Sequence, residues 1–525
     1  MPVVKKYPLS FISTYPPNRC GIGTFTHDVV KSIAALRGEN LSTTDQLKVT
    51  ALSERVGKYD YGDEVAFEIE TGNQMDYIRA ADYINISSSK AVSIQHEFGI
   101  FGGDDGAYLL TALNRLRKPV VTTLHTVLEH PSDHQKEVLT EVCRHSTEVV
   151  ILAHKARELL QEIYQIPEDK ITMIPHGAPD VPFLDATYYK EDFGFEDRRV
   201  ILTFGLLSPN KGIEMGIEAM ERVVEQFPDS LYIVLGQTHP NIKQQRGEEY
   251  RVSLKQKVQE KGLSKNVVFY DRFVPKPELI KYLVSADIYL TPYMAKEQIS
   301  SGTLAYAVAM GKAIVSTPYW YAEELLAEDR GRLVPFGDSK SLADTLIELL
   351  GDEGARQRMR RRAYEFGRKM IWPEVAKSYL HLFEEVEQRY ERQMVKTRTE
   401  EISPTKSKIP ELPEVKLSHL RVLTDETGIF QHATFGIPNR SHGYTTDDNS
   451  RAVIATLKHW NLFEDKSVLS LFEKYLAFLQ YALESGDGRV RNLMNFDRTW
   501  VPNKKGSEDS HGRTVWALGQ VVADA

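Results

Sequence analysis

Short apolar runs alternate with longer amphipathic segments along the first two thirds of the chain. Apolar strands separated by segments of helical periodicity are typical of a parallel sheet that helices cover on both faces. We predict a first group of strands at Leu9–Thr14, Lys48–Leu52, Ala91–Gln95, Pro119–Leu124, Glu148–Ala153 and Ile171–Pro175. A second group is predicted at Val200–Gly205, Leu231–Gly236, Val267–Tyr270, Ile288–Pro292, Ala313–Thr317 and Arg332–Pro335. The pattern therefore predicts two doubly wound α/β domains in tandem.

The other segments lack this alternation. Residues 177–198 are rich in Pro, Asp and aromatic residues without clear periodicity, which is typical of a connection between domains. Helices are predicted near His27–Leu36, Ser339–Leu350, Gly354–Phe366 and Trp372–Met394. The predicted order is an N-terminal domain at 1–190, a second domain at 191–371, a long helix at 372–394, a linker at 395–412 and an all-α region at 413–525.

Two glycine-rich loops of the C-terminal region resemble one another. The segments Gly443–Val453 and Gly506–Trp516 each place acidic and small polar residues at a helix entrance, with Arg451 or Arg513 one turn later. Such a repeat predicts an α/α toroid that is incomplete here, because two hairpins do not close a ring. The acidic residues fit the rim of a carbohydrate groove, but we favour helix caps paired with the two arginines.

The composition narrows the classes of function. A net charge of -8 argues against a protein that binds nucleic acid. Only Cys20 and Cys143 are present, too few for a disulfide framework. No apolar run approaches about 18 residues, and the N-terminus lacks the apolar core of an export signal. We therefore expect a cytoplasmic protein without a transmembrane segment, and its oligomeric state stays open.

Histidines recur at the carboxyl ends of the predicted strands of the first domain. Ligands of open parallel sheets bind beyond these ends, so the side chains there are candidates for a site. Several imidazoles at one edge predict a cleft for a polar ligand, because imidazole donates or accepts hydrogen bonds without a fixed charge. A metal cluster is the alternative, but no two of these histidines have i, i+4 spacing, so we predict no metal. The strand-end residues are Asn18, Arg19, His96, Glu97, His125, His154 and His176.

A Gly-x-Gly turn follows the first predicted strand. Gly21 and Gly23 let the backbone approach a phosphate closely, although a tight strand-to-helix turn explains them equally well. A dinucleotide-binding turn would have a third glycine where Thr26 stands, so a nicotinamide cofactor is disfavoured. In the second domain, Lys211 stands between the strand that ends at Gly205 and the next helix. A lysine there is placed to pair with a diphosphate, and we favour this role over that of a merely solvated lysine.

The segment from Glu297 to Leu304 combines a carboxylate with a helix that begins at Ser, Gly and Thr residues. A helix entered in this way offers unpaired backbone N–H groups and the positive end of the helix dipole to an anion. Glu297 would then face whatever group the anion carries. A phosphate-linked sugar fits this arrangement.

These motifs, in this order on two tandem domains, resemble the family 4 glycosyltransferases of the GT-B fold. The resemblance covers residues 7–390 and includes Ile174–Gly177, Phe273–Pro275 and a closing helix after Trp372. It implies two Rossmann-like domains that face each other across a cleft, with the closing helix crossing back onto the first domain.

The resemblance also implies roles for the matching residues. A nucleotide diphosphate sugar would bind mainly to the second domain, with Gly21 and Gly23 closing over it from the first. Glu297 would bind the donor sugar, and His125 would lie near the sugar and the acceptor. The backbone around Phe273 and Val274 would meet the base. The diphosphate would be held by Lys211 and by the backbone amides of Ile299, Ser300, Ser301, Gly302, Thr303 and Leu304.

The reaction implied is the transfer of a hexose to a carbohydrate acceptor with retention of configuration and without a metal. No cofactor is expected beyond the nucleotide-sugar co-substrate, for which GDP-mannose, UDP-glucose and ADP-glucose stay open. The alternative is a degenerate transferase that serves as a carbohydrate-binding or scaffold module for the helical region.

Two positions depart from the family pattern. Ala305 stands where the family has a second glutamate, which would contact the ribose hydroxyls. Leu206 stands where an arginine would join Lys211 on the phosphates. Arg19 or Arg272 is a candidate to replace that missing charge.

Overall fold

The computed structural model describes residues 7–41, 43–44, 46–402, 415–483, 488–502 and 506–524. The chain divides after residue 403 into two compact units. The first unit contains two parallel sheets in tandem, and the second is mainly helical. The fold is therefore the predicted α/β arrangement followed by a helical region.

The N-terminal sheet has seven parallel strands among the described residues, in the order β3-β2-β1-β4-β5-β6-β7. Its strands are β1 Leu9–Ser13, β2 Leu47–Ser53, β3 Val65–Glu70, β4 Ala91–His96, β5 Val120–Leu124, β6 Glu148–Ile151 and β7 Ile171–Met173. β3 was not predicted, because this half-buried edge strand interrupts its apolar residues with Glu68 and Glu70 and so lacks the continuous apolar run of a central strand. The other strands are confirmed.

Helices cover both faces of this sheet: α1 Gly21–Leu36, α2 Gln74–Ile86, α3 Tyr108–Leu113, α4 Asp133–His145 and α5 His154–Glu162. The prediction that α1 starts near His27 is wrong, since Gly21 and Gly23 already lie in its first turn. Glycine is needed at position 23 because an added Cβ would lie 3.2 Å from the backbone of Thr14 and Tyr15.

The second sheet has six parallel strands in the described part of the chain, in the order β10-β9-β8-β11-β12-β13. The strands are β8 Arg199–Phe204, β9 Ser230–Leu235, β10 Val267–Tyr270, β11 Ile288–Thr291, β12 Ala313–Ser316 and β13 Arg332–Leu333. The helices are α6 Ile213–Gln226, α7 Pro240–Arg246, α8 Glu249–Glu260, α9 Lys276–Ser285, α10 Gly302–Ala309, α11 Trp320–Leu326, α12 Ser339–Gly351 and α13 Glu353–Gly367. The predicted strands of this domain are confirmed.

A long helix, α14 Trp372–Ile402, returns from the second domain to the first. Its residues from Trp372 to Val386 pack with the strands of the N-terminal sheet and with α1. α14 continues beyond the predicted end at Met394, so the first residues of the predicted linker are helical. The rest of the predicted linker, residues 403–412, lies outside the described residues.

The chain crosses between the domains at Gly177, whose environment leaves no room for a side chain. Ala178 N–H donates to Met370 O over 2.8 Å, and Trp372 N–H donates to Ala178 O over 2.8 Å. These bonds press the Trp372 ring onto Gly177, where an added Cβ would overlap the ring.

We therefore expect Gly177→Ala to lower the free energy of unfolding by about 1–3 kcal/mol, because the Trp372 ring has to move. Urea unfolding measures this change. Gly72→Ala is the matched control, since no atom lies within 4 Å of the Cβ it would add. Equal stability of Gly177→Ala and the wild type would contradict the prediction.

The second unit contains α15 Ser418–Val422, α16 Thr446–Phe463, α17 Leu469–Leu483 and α18 Glu508–Asp524, with four strands of two residues each in its described segments. These strands are β14 Ala433–Thr434, β15 Ile437–Pro438, β16 Tyr444–Thr445 and β17 Leu493–Met494. The toroid stays a prediction. No helix in the described parts of either unit has the length and apolar character needed to span a membrane.

Acidic residues of the two repeated loops form ion pairs with Arg451 and Arg513, as expected if these loops cap helices. Arg451 binds Asp447 at 2.8 Å and Asp448 at 2.7 Å. Arg513 binds both Asp509 and Asp447 at 2.9 Å. The N-cap of α16 is Thr445 rather than Asp447, because the Thr445 hydroxyl accepts from Asp448 N–H over 3.1 Å.

A cavity of about 530 Å³ in this unit has a different lining. Neither repeated loop contributes to it. Its lining includes Glu426, Glu473, Phe478, Tyr481 and Arg498. The repeated loops are therefore structural elements of the unit rather than the walls of this cavity.

Candidate functional site

The predicted site residues lie at the carboxyl ends of the two sheets of the first unit, where the domains touch. Ser300 Oγ in the second domain donates to His125 O in the first over 2.9 Å. Arg19 Nη1 donates to Gln237 Oε1 over 3.3 Å, at the end of β9. The residues singled out in the two halves of the sequence thus face one another across a narrow cleft.

Lys211 and the N-terminus of α10 converge through Tyr293. The Lys211 ammonium lies 3.7 Å from the centroid of the Tyr293 ring. Tyr293 Oη and Thr303 Oγ1 share a hydrogen bond of 2.9 Å, and Ser301 Oγ lies 3.1 Å from Thr303 Oγ1. Burial alone would raise the pKa of Tyr293, but the Lys211 charge and the hydrogen bonds outweigh it and lower that pKa. A positive group and a helix N-terminus therefore face the same space.

The turn that carries Lys211 is fixed in place by the strand beside it. Gly212 has φ +59°, a left-handed conformation that glycine adopts without strain. An added Cβ there would overlap Pro292 O, and Met294 N–H donates to Asn210 O over 2.9 Å. Because the Glu297 loop continues from Met294, this contact fixes Lys211 relative to that loop.

Two helix N-termini at the cleft are without an acidic residue in their first turn. α1 begins after Cys20, whose side chain makes no capping hydrogen bond, and nothing lies within 4 Å of a Cβ built on Gly21. α10 begins after Ser301, whose hydroxyl accepts from Leu304 N–H over 3.3 Å. Free N–H groups at such ends attract anions, and neither first turn contains a carboxylate that would oppose them.

His125 is buried and neutral. Burial lowers its pKa to about 3, and repulsion from His176 and His96 adds to this effect. Its Nε2 lies 3.0 Å from Gln95 Oε1, while Gln95 Nε2 donates to Ser93 over 3.2 Å. Because the Gln95 oxygen accepts, the proton of His125 lies on Nε2, and Nδ1 carries a lone pair.

The other strand-end histidines have different surroundings. His176 Nδ1 lies 2.8 Å from Gly177 O, and its Nε2 would lie 3.0 Å from a Cβ on Gly302, at the start of α10. His96 is fully buried between Phe98 and Phe101, and neither ring nitrogen has a hydrogen-bond partner among the described residues. His154 is exposed, and its backbone N–H donates to Glu324. Of the four histidines, His176 places its ring beside the start of α10, and His125 contacts the α10 loop through its carbonyl oxygen.

Glu297 is exposed and faces the first domain. One ligand atom each from Glu129, His130 and Glu297 lies within 4.8 Å of the others. Such a group has the donors for a divalent cation, although exposed acidic groups also occur without one. The absence of a metal therefore stays a prediction.

Phe273 and Val274 lie after β10, where the base is predicted to bind. Phe273 is 51% exposed, and the Arg19 guanidinium carbon lies 5.8 Å from the centroid of its ring. Val274 is buried in the core of the second domain. Its side chain therefore supports this loop, while the Phe273 ring is available to a ligand.

The two arginines considered for the missing charge differ in their partners. Arg272 is bound to Glu278 and lies 3.2 Å from Tyr282 Oη, so its charge is already paired. Arg19 hydrogen bonds to the neutral side chain of Gln237, and none of the described acidic residues forms an ion pair with it. His239 lies near Lys211 at this edge. Burial lowers the pKa of His239, and the Lys211 charge lowers it further.

A buried aspartate of α1 was missed by the sequence analysis. Asp28 is 4% exposed, forms an ion pair with Lys276 of α9 and accepts from Tyr306 Oη of α10 over 3.3 Å. Burial alone would raise the pKa of Asp28, but His27 and Lys276 outweigh it and lower that pKa. The sequence does contain a signal for it, because Asp28 lies among the apolar positions of α1. A charge at such a position is buried and therefore requires a partner elsewhere in the fold.

Comparisons with known proteins bear on the fold and on the class of enzyme. Residues 186–366 match the family model of glycosyl transferases group 1, and residues 94–180 match that of glycosyltransferase family 4. A phosphatidyl-myo-inositol mannosyltransferase of Mycolicibacterium smegmatis is 26% identical over 53% of this chain and 68% of its own. A D-inositol 3-phosphate glycosyltransferase of Corynebacterium efficiens is 26% identical over 51% of this chain and 66% of its own.

The solved structure of Anabaena HepE with UDP and glucose matches with a TM-score of 0.58 at 15% identity, over 72% of this chain and 100% of that one. The chain is a glycosyltransferase of the GT-B fold. The matched regions of this transferase contain His125, Lys211 and Glu297, whereas Gly21 and the whole second unit lie outside them.

Proposed function

We propose that this glycosyltransferase moves a hexose from a nucleotide diphosphate sugar to a carbohydrate acceptor, with retention of configuration and without a metal. The convergence of Lys211 and the α10 N-terminus on one space, with Tyr293 and Thr303 between them, carries the proposal. A diphosphate matches a lysine charge and free N–H groups at this spacing. The relatives named as mannosyltransferase and inositol phosphate glycosyltransferase, and the neighbour solved with UDP and glucose, support a hexose donor.

In this proposal the second domain holds the donor. Lys211 and the amides of α10 bind the diphosphate, and the first turn of α1 closes over it. Glu297 accepts hydrogen bonds from the donor hexose. The acceptor hydroxyl forms its bond to the anomeric carbon on the face from which the phosphate oxygen leaves, and its proton passes to that departing oxygen. The protein supplies positioning and stabilises the charge that builds on the diphosphate.

The nucleoside is held without the family's second glutamate. Ala305 is fully buried in α10, so this position contributes to the core and not to the ribose site. We infer that Phe273 and Arg19, which lie together after β10 and β1, provide a stacking surface and a charge on the nucleoside side instead. GDP-mannose, UDP-glucose and ADP-glucose are the candidate donors.

A thermal-shift screen of UDP, GDP, ADP and their sugars tests the donor site. A bound ligand raises the free energy of unfolding by RT ln(1 + [L]/Kd), so the nucleotide that binds most tightly at a given concentration raises the melting temperature most. We expect Glu297→Ala to keep the shift with the nucleoside diphosphate and to lose the extra shift that the sugar provides.

NMR of the product tests the stereochemistry, and an α product from an α donor is expected. A protein that no nucleotide stabilises would contradict the proposed function and favour the scaffold alternative. An inverted product would contradict retention alone.

A further inference from the structure

Four carboxylates lie in two loops on the predicted acceptor side of the cleft. The loops that follow β4 and β5, residues 97–107 and 125–132, are described throughout and contain neither lysine nor arginine. Their acidic residues are Glu97, Asp104, Asp105 and Glu129. After the second loop, His134 of α4 pairs with Asp105, and Lys136 is exposed on the same helix. These two loops by themselves therefore carry more acidic residues than lysines or arginines.

Glu97 directly follows β4 and lies beside the loop that follows β5. Its Oε2 accepts from Thr126 Oγ1 over 2.5 Å, and its Oε1 accepts from Phe98 N–H over 3.2 Å. Thr126 directly follows His125, whose carbonyl oxygen accepts from Ser300 of the donor domain. The Glu97 carboxylate is thus hydrogen bonded to Thr126, the neighbour in sequence of the residue that contacts the second domain.

Glu97 has no basic partner among the described residues, and it is not saturated with hydrogen bonds. A carboxylate has about four acceptor positions, of which Thr126 and Phe98 fill two. Burial raises the pKa of Glu97, while these two hydrogen bonds lower it. A half-buried carboxylate of this kind gains from further O–H donors, and two adjacent hydroxyls of a sugar provide them.

The N-terminus of α4, the helix that begins on this side of the cleft, is poorly suited to binding an anion. Ser132 and Gln135 form a capping box at the N-terminus of α4, and Asp133 lies in its first turn. Asp105 reaches the same turn, with its Oδ2 2.8 Å from His134 Nδ1. α1 and α10, in contrast, have no acidic residue in their first turns. The positions that favour an anion therefore lie on the donor side of the cleft, and those that disfavour one lie around Glu97.

We propose that Glu97 binds a pair of acceptor hydroxyls, and that this side of the cleft selects an acceptor without phosphate or another negative charge. The inference rests on the proposed function, because it takes His125 to lie at the acceptor. A phosphate beside Glu97 would meet a like charge that has no basic partner among the described residues, and such contacts discriminate strongly against a ligand.

Paired acceptors test the selection. Release of the nucleoside diphosphate from the stabilising donor is measured with glucose and glucose 6-phosphate, mannose and mannose 6-phosphate, and myo-inositol and its 3-phosphate. EDTA is present, so that a cation held by Glu129 and Glu297 does not supply positive charge. We expect kcat/KM to be at least about tenfold higher for the neutral member of each pair that is used.

Glu97→Gln tests the residue itself. The amide keeps the size of the side chain and an acceptor for Phe98 N–H, but it loses the charge that strengthens hydrogen bonds from hydroxyls. We expect the KM of the neutral acceptor to rise by about tenfold, the preference over its phosphorylated partner to shrink, and the Kd of the nucleotide to stay unchanged. Glu162→Gln, at the far end of α5, is the matched control and should behave as the wild type.

The outcomes separate this inference from the proposed function. A phosphorylated acceptor used as well as its neutral partner, or no use of any neutral saccharide by a protein that binds its nucleotide, would overturn the inference alone. An unchanged KM in Glu97→Gln would remove Glu97 from the acceptor site. A protein that binds no nucleotide would overturn both proposals.

Discussion

Replacement of Lys211 by methionine is expected to remove most of the stabilisation that a nucleoside diphosphate gives the wild type. The ammonium group is held over the Tyr293 ring, beside the hydroxyls at the start of α10. Loss of a charge-assisted contact in such a site costs about 2–3 kcal/mol, which raises Kd by about 30- to 150-fold. Methionine keeps an unbranched stem against Tyr293, so the loss of the charge is isolated from a loss of packing.

Isothermal calorimetry with UDP, GDP and ADP measures this change, and thermal shifts provide a second reading. Lys255→Met is the matched control, because Lys255 is exposed on α8 of the same domain. We expect this control to bind the nucleotide with the Kd of the wild type. Wild-type affinity in Lys211→Met would exclude Lys211 from the diphosphate site, and the α10 N-terminus would then have to bind it without a charged side chain.

The sequence was sufficient to predict the two sheets because their central strands are continuous apolar runs between polar loops. It failed at β3, where the edge position exposes one side of the strand and permits Glu68 and Glu70. It also placed the start of α1 too late, since the two glycines of the first turn suggest a loop when the packing of Gly23 on Thr14 is unknown. Tertiary contacts decide such positions.

The candidate site was predictable in its parts. Lys211 and the residues from Glu297 to Leu304 were recognised from local patterns, because a helix start and a charged residue are features of the neighbouring sequence. Their connection through Tyr293 was not, since it depends on how β11 lies beside β8. The contacts of Asp28 with Lys276 and Tyr306 join residues far apart in the chain and likewise required the fold.

The pairing of charges in the second unit shows the same limit. The i, i+4 pairs of Arg451 with Asp447 and of Arg513 with Asp509 follow from helical spacing alone. The additional pair between Arg513 and Asp447 joins α18 to α16 and was not predicted. Because that pair requires two helices to pack side by side, the sequence spacing contained no signal for it.

Acidification is expected to destabilise the first unit through its buried histidines. Burial lowers the pKa of His96 to about 4 and that of His125 to about 3, whereas an unfolded histidine titrates near 6.5. Since the folded pKa lies below the unfolded one, the unfolded chain binds more protons between these values, and stability falls as the pH drops below about 6.5. Between pH 7.5 and pH 5 each histidine should cost about 2 kcal/mol.

Urea unfolding of the full chain at pH 7.5 and pH 5 measures this loss. The double variant His96→Met/His125→Gln should lose about 4 kcal/mol less stability than the wild type between these two pH values. His134→Gln is the control of opposite sign. The hydrogen bond to Asp105 raises the pKa of His134, so this histidine stabilises the fold at low pH and gives up that contribution as the pH rises. The His134→Gln variant should therefore lose at least as much free energy of unfolding as the wild type between pH 7.5 and pH 5. Equal pH dependence in the double variant and the wild type would show that other groups cause the loss, and the neutral state inferred for His125 would then lack support.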